Sequence, residues 1–228
     1  MSHTSWRIIM KLNKNTITIL RNFASINPSI MFKPGKTLST ISPSKTIMAR
    51  AKIDQDIPST FAIYDLSRFL GTISLFSDPE LNVQEKFMEI REGQRKLNYT
   101  FTEPSLIVTP PDKEIKLPDP EVRFMIDAVD LQEVIKALSV LSLPEIAVVG
   151  DGENITVQAI DSKNPSGDFY SVKVGDTTNI FRMIIRADNL KLLPGPYEVA
   201  ISSKGLSKFT GSEVEYFVAI ESNSTFEG

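Results

Sequence analysis

The stretch Phe124-Met-Ile126-Asp-Ala-Val-Asp130-Leu131-Gln-Glu-Val134-Ile135 reads as an apolar strand that breaks at an acid and passes into a short amphipathic helix. The same phrase recurs at Phe61-Ala-Ile-Tyr-Asp65-Leu66-Ser-Arg-Phe69-Leu70 and at Phe181-Arg-Met-Ile-Ile185-Arg-Ala-Asp188-Asn-Leu190-Lys-Leu-Leu193. A weaker version opens the chain, where Met10-Lys-Leu12-Asn13 leads into Ile17-Thr-Ile19-Leu20-Arg-Asn-Phe23. Four strand-to-helix units at intervals of about fifty to sixty residues, with strand-rich sequence between them, describe a repeat built from sheets and few helices. The class is α+β, and such regularity favours a scaffold over a catalytic pocket.

In the first unit Ile19, Leu20, Phe23 and Ala24 fall at helical spacing, with Asn13 or Asn15 as cap and Asn27-Pro28 as stop. The opposite face carries Lys14, Thr18, Arg21 and Ser25, a polar stripe with two positive charges and no acid. The helix opened by Asp130 shows a similar stripe of Gln132, Lys136 and Ser139 opposite Leu131, Val134, Ile135 and Leu138. Short helices are expected after Asp65 and Asp188, bearing Arg68 and Lys191. Strands are expected at 30–33, 46–53, 87–90, 96–101, 145–149, 155–160, 169–174, 197–201 and 214–220, with a hairpin turn at Gly150-Asp-Gly-Glu-Asn154. Pro104, Pro110, Pro111, Pro118 and Pro120 crowd one segment, which lacks the backbone donors of a central strand and reads as a stiff connector. The chain thus divides into an N-terminal appendage, 1–9, expected to be disordered, a first domain, 10–109, a connector, 110–121, and a second domain, 122–228.

A length of 228 residues accommodates two domains of about 100 residues, and 41% hydrophobic content supplies a core for each. There is no cysteine, and the single histidine, His3, lies in the appendage. Thiol nucleophiles, disulfides, Cys/His zinc sites and histidine bases are therefore excluded from the domains. No apolar run approaches the roughly 18 residues of a membrane span, and Trp6-Arg-Ile-Ile9-Met10 is too short for a signal-peptide core. The net charge of −3 is unevenly placed: residues 1–60 hold nine Lys/Arg against two acids, whereas residues 122–228 hold nine against fifteen. An acidic protein with one basic region repels polyanions except along a chosen surface.

Chemical motifs are absent. Gly35-Lys36-Thr37 resembles the end of a phosphate loop, but the upstream glycine is replaced by Ile30, so the segment reads as a turn before a strand. Asp151, Glu153 and Asp161 lack the spacing of a calcium loop. No metal, no cofactor and no catalytic constellation is expected, and the chain is not read as an enzyme.

Taken in order, Met10-Lys-Leu-Asn, Leu20-Arg-Asn-Phe23-Ala-Ser-Ile26-Asn27, Ala62-Ile-Tyr-Asp-Leu66 with Phe69-Leu-Gly71, Glu103-Pro-Ser-Leu-Ile-Val-Thr-Pro110, Asp130-Leu-Gln132 and Leu193-Pro-Gly195-Pro-Tyr197 resemble the DNA polymerase sliding clamps of T-even-type bacteriophages. The likeness runs from Met10 to near Phe226, and that family is related in fold to proliferating cell nuclear antigen. It implies two similar domains, each of two βαβββ units, and a head-to-tail homotrimeric ring around duplex DNA with helices inside and sheets outside. It also implies a DNA polymerase, an ATP-dependent clamp loader and late-transcription factors as partners, in the cytoplasm of an infected bacterium. On this picture Lys11, Lys14, Arg21, Arg68, Lys136 and Lys191 face the phosphates, loosely enough to slide. Partners of this family dock a short terminal peptide in an apolar groove beside the connector, where Leu106, Val108, Ile115 and Leu117 alternate with polar residues. The same four side chains can equally be read as anchors of the connector. A non-catalytic β-rich structural or virion-assembly protein is the alternative function.

Overall fold

The computed structural model describes residues 9–228; His3 and most of the expected appendage lie outside them. Ile9, grouped with the appendage by sequence, belongs to a short strand with Met10. Residues up to Pro111 form one compact unit, and those from Asp112 onward form a second.

The first unit runs β1 (Ile9–Met10), α1 (Lys14–Ile26), β2 (Ile30–Phe32), β3 (Gly35–Ile41), β4 (Ile47–Ile57), β5 (Phe61–Ile63), α2 (Leu66–Ile73), β6 (Glu80–Val83), β7 (Phe87–Glu92) and β8 (Arg95–Thr100). This is βαβββ twice over, and the two copies are interleaved. Strand β1 pairs with β6 and strand β5 with β2, so each copy completes its sheet with a strand of the other. The sheet β1-β6-β7-β8 and the hairpin β3-β4 are antiparallel throughout. Helix α1 packs on β3 and β4 and lies against α2. Its buried positions Thr16, Ile19, Leu20, Phe23 and Ile26 follow the helical period. Phe32, Phe61 and Phe101 stack at centroid distances of 4.5 and 4.8 Å, and Phe69 meets Tyr99 edge-on at 5.1 Å.

Asn27 joins these pieces. Fully enclosed at the C-terminal end of α1, its amide donates to the carbonyls of Ile41 (2.8 Å) and Val108 (3.1 Å), while its oxygen accepts from the N–H and hydroxyl of Ser29 (2.9 and 3.0 Å). The residue that the sequence marks as a helix stop therefore fixes a strand end and the start of the connector as well.

The second unit repeats the plan with β9 (Val122–Ile126), α3 (Ala128–Val140), β10 (Glu145–Asp151), β11 (Asn154–Ile160), β12 (Tyr170–Asp176), β13 (Ile180–Arg186), β14 (Tyr197–Ser202), β15 (Leu206–Thr210), β16 (Val214–Ala219) and β17 (Thr225–Phe226). The exchange recurs: β9 pairs with β14, and β13 with β10. One sheet has the order β12-β11-β10-β13-β17, with α3 across β11 and β12, and β9-β14-β15-β16 forms a second antiparallel set. Asp127 caps α3 by accepting from the N–H of Asp130 at 2.8 Å.

The fourth helix expected from the repeat is absent. After β13 the chain makes only a 3-10 turn, Ala187–Asn189, and Asn189 and Leu190 turn inward. Pro194 and Pro196 follow too closely for a helix to grow, because each lacks an N–H and the residue before a proline disfavours helical backbone. Two phenols replace the helix as supports for this segment. Tyr197 donates to the carbonyl of Leu193 at 2.6 Å, and the N–H of Leu193 donates to Tyr216 at 3.0 Å. Burial pushes the Tyr197 phenol up to about 12.

Candidate nucleic-acid and partner surfaces

Helix α1 begins where Asn13 accepts from the N–H of Thr16 at 2.8 Å, and Thr16, buried beneath it, hydrogen-bonds Gln55 of β4 at 2.5 Å. These bonds and the apolar face fix the rotation of the helix, which leaves Lys14, Thr18, Arg21 and Ser25 exposed together. Thr18 donates its hydroxyl to the carbonyl of Lys14 and Ser25 to that of Asn22, at 3.0 and 2.6 Å. The neutral members of the stripe thus turn back on the helix, and Lys14 and Arg21 are the side chains that reach outward. Both line one cleft of about 370 Å3, floored by Leu12, Ile17, Leu70 and Ile73.

The other basic candidates have different settings. Lys11 is paired with Asp78 at 2.5 Å, and that hydrogen bond holds its ammonium above the ordinary lysine value. Arg68 is exposed on α2, which turns Ser67, Leu70, Gly71 and Ser74 toward Arg21 and Ala24 across a depression of about 230 Å3. The backbone N–H of Arg68 donates to the Asp65 cap at 2.8 Å, and its side chain does not line the cleft that Lys14 and Arg21 share. On α3, Gln132, Lys136 and Ser139 are exposed as expected, and Glu133, on the same helix, accepts from the hydroxyl of Tyr170 on β12 at 2.7 Å. Lys191 is exposed, and it follows the 3-10 turn on the Tyr-pinned segment rather than riding on a helix. Of the basic residues in the N-terminal positive region, Lys33, Lys36, Lys45, Arg50 and Lys52 lie on or between β2, β3 and β4 rather than on a helix. The charge count along the chain thus overstates the charge on α1.

Near the connector, Pro104–Leu106 is a 3-10 turn that leaves Leu106 65% exposed and Val108 38% exposed. These two side chains are not core anchors; the backbone of Val108 is held by Asn27 instead. In the second unit Ile115 and Leu117 are half-buried. Edge strands are also in view: β8 ends its sheet in the first unit and β12 ends its sheet in the second. Exposed apolar residues stand on elements near both, Tyr64 and Leu75 around α2 and Met125 and Val129 on β9 and α3.

Asp151, considered above as a metal ligand, accepts from the N–H groups of Glu153 and Asn154 at 2.9 and 2.7 Å and builds the hairpin turn. Among the described residues no group of three or more His, Asp or Glu side chains is placed to hold a metal ion. No helix among them is long and apolar enough to cross a membrane.

Comparison with known proteins places this arrangement. A family model described as DNA polymerase processivity factor matches residues 11–109, and one described as gp45 sliding clamp, C terminal, matches residues 123–222. The sliding clamp of Enterobacteria phage T4 is 33% identical over 228 residues, covering 96% of this chain and all of its own. That of Vibrio phage KVP40 is 33% identical over 220 residues, covering 93% and 99%. Among solved structures, A. fulgidus PCNA bound to the C-terminal region of FEN-1 superposes with a TM-score of 0.69 at 18% identity, over 95% of this chain and 98% of that one. The DNA polymerase III β chain of Streptococcus pneumoniae gives 0.70 at 11% identity, over 94% of this chain and 65% of that one. At such identities the two structures establish a shared fold.

Proposed function

We propose, from the fact that this chain belongs to the phage sliding-clamp family of DNA polymerase processivity factors, that it closes as a head-to-tail homotrimer around duplex DNA and tethers the polymerase to its template. The observation that carries the reading is the doubled and interleaved βαβββ plan in each unit, joined to one-third identity with phage clamps along nearly the whole chain. The clamp performs no chemistry and acts as a topological link. The domains are 10–109 and 122–228 with the connector between them. It works in the infected bacterial cell, where an ATP-dependent loader opens it and late-transcription factors share its docking groove. Primer extension on a long template with polymerase and loader tests the function: product length is expected to rise with the clamp and to stay at the polymerase-only length without it.

Ring closure uses β8 of one subunit and β12 of the next. Each presents a row of unpaired backbone groups in the isolated chain, and pairing head to tail satisfies both in a closed ring. Sedimentation equilibrium is expected to give a trimer that dissociates on dilution. A monomer at all concentrations would refute this assembly.

The DNA face is led by Lys14 and Arg21, with Arg68, Lys136 and Lys191 as further phosphate ligands and Lys11 weakened by its partner Asp78. Nonspecific attraction of phosphates by few, flexible cations permits sliding. Partner peptides dock on Leu106, Val108, Ile115 and Leu117. Changing Ile115→Ser together with Leu117→Ser is expected to weaken polymerase-peptide binding by about 2 kcal/mol or more while the trimer persists, as measured by titration calorimetry and sedimentation. Unchanged peptide affinity with a lowered melting temperature would make the pair connector anchors only.

A further inference from the structure

We propose that Asp78 is a built-in attenuator of the DNA face: its carboxylate holds Lys11 away from passing phosphates, so that the loaded clamp has fewer contacts to break as it slides. The inference rests on the reading of α1 as the DNA face and adds to it a residue that sets how weakly that face holds. The strand exchange creates the encounter. Met10 pairs with Leu81, which sets Lys11 beside the segment 78–80, and the ammonium meets the Asp78 carboxylate at 2.5 Å. Asp78 also lines the cleft that Lys14 and Arg21 share, so the acid stands within the basic face.

The position of the acid is set from behind. Glu92, on β7, accepts from the N–H groups of Ser77 and Asp78 at 2.9 and 2.6 Å. Arg95, on β8, ion-pairs with Glu92, donates to the carbonyl of Leu75 at 3.2 Å and lies over the Phe76 ring at 5.3 Å. The turn after α2 is thus fastened from Leu75 to Asp78 against one hairpin. At Ser77 and Asp78 these bonds engage the backbone, which leaves the Asp78 carboxylate to Lys11. A carboxylate carried on a fixed backbone meets its cation with little further loss of chain freedom.

Stability does not account for the arrangement. The Lys11 and Asp78 side chains are 50% and 76% exposed, and an ion pair this open to water adds little to folding because solvent screens it. What the pair changes is the charge that DNA meets. Unpaired, Lys11 would join Lys14 and Arg21 as a third cation along and just before α1; paired, it is offset by an acid in the same cleft. Each lysine or arginine that neutralises a phosphate adds roughly 0.9 to the slope of log affinity against log salt, so one masked cation is a measurable subtraction. A clamp that must travel gains from that subtraction, because a contact made at one register has to be released before the next.

One-dimensional diffusion of the loaded, dye-labelled clamp along stretched duplex DNA tests this. Asp78→Asn keeps the shape of the side chain and the backbone bond to Glu92. It is expected to slow diffusion about five-fold at 50 mM salt and to approach wild type by 300 mM, because one added phosphate contact loses about five-fold in affinity over that span. On a Lys11→Gln background the same substitution should have no such effect, since the cation it would free is gone. Sedimentation mass and melting temperature should match wild type in both. The reading of α1 as the DNA face has its own arm, in which Lys14→Glu with Arg21→Glu should speed diffusion. If that arm behaves as expected while Asp78→Asn diffuses like wild type, or while its slowing ignores salt or persists with Lys11→Gln, the attenuator is refuted and the DNA face stands. If neither arm changes diffusion, the DNA face is misassigned and the attenuator falls with it.

Discussion

Reversing both charges of the α1 stripe, Lys14→Glu with Arg21→Glu, is expected to collapse loader-assisted processive synthesis while leaving the ring intact. Both side chains are exposed, α1 contains no acid, and the hydroxyls of Thr18 and Ser25 are turned back to the helix backbone. Phosphates passing this face therefore meet two cations, with Asp78 of the shared cleft held by Lys11, and the reversal replaces attraction with repulsion at every register along the DNA. Retention of the clamp on nicked circular DNA should become less salt-dependent, by roughly 0.9 in the slope of log affinity against log salt for each phosphate that is no longer neutralised. The loss should be the same on templates of any sequence, because cations facing phosphates read no base edges. Trimer mass and melting temperature should stay near wild type, since neither side chain packs in the core. Processivity unchanged by the double reversal would assign the stripe to solvent alone.

The second large effect concerns stability. Asn27→Leu is expected to cost about 3 kcal/mol or more, because the amide makes four hydrogen bonds at a buried position and its removal strands the carbonyls of Ile41 and Val108 and the polar groups of Ser29. For a chain of this size the melting temperature should fall by roughly 6–12 °C in calorimetry. Asn27→Asp should recover less than half of this, since a carboxylate keeps the two acceptor bonds and loses both donors. A change below 1 kcal/mol for Asn27→Leu would show that water replaces the amide, and that Asn27 does not join helix, strand and connector as described.

Legibility in the sequence follows the physics of each element. Helix α1 is readable because cap, apolar period and stop are all local: Asn13, the Ile19–Phe23 face and Asn27-Pro28. Strand β15 is not, because its inward positions include Ser207, which survives burial only by donating to the Val218 carbonyl at 2.8 Å on the neighbouring strand. Strand β6 spans four residues and buries Asn82, so alternation has too little length to show. Gly35-Lys36-Thr37, expected as a turn, begins β3 itself, with a register shift against β4 and a positive φ at Gly35. The fourth helix is expected from the repeat and denied by prolines six and eight residues beyond Asp188, a case where a local breaker outweighs internal similarity. Among the site residues, the shared face of Lys14 and Arg21 follows from helical spacing. The partner of Lys11 is Asp78, 67 positions away, which is out of reach of a local pattern.

The exchange of strands between copies has a consequence for the nascent chain. Strand β1 waits for Leu81 and Asn82, and β9 waits for the segment that begins at Tyr197, so neither half of a unit can finish its sheets when it first leaves the ribosome. Pairing across about 70 residues carries a loop-closure cost that short-range structure does not offset. Each unit is therefore expected to remain open until most of its length has been translated and then to close in one cooperative step. A fragment ending at Ile57 should be as protease-sensitive as an unfolded polypeptide, and one ending at Pro111 should resist digestion.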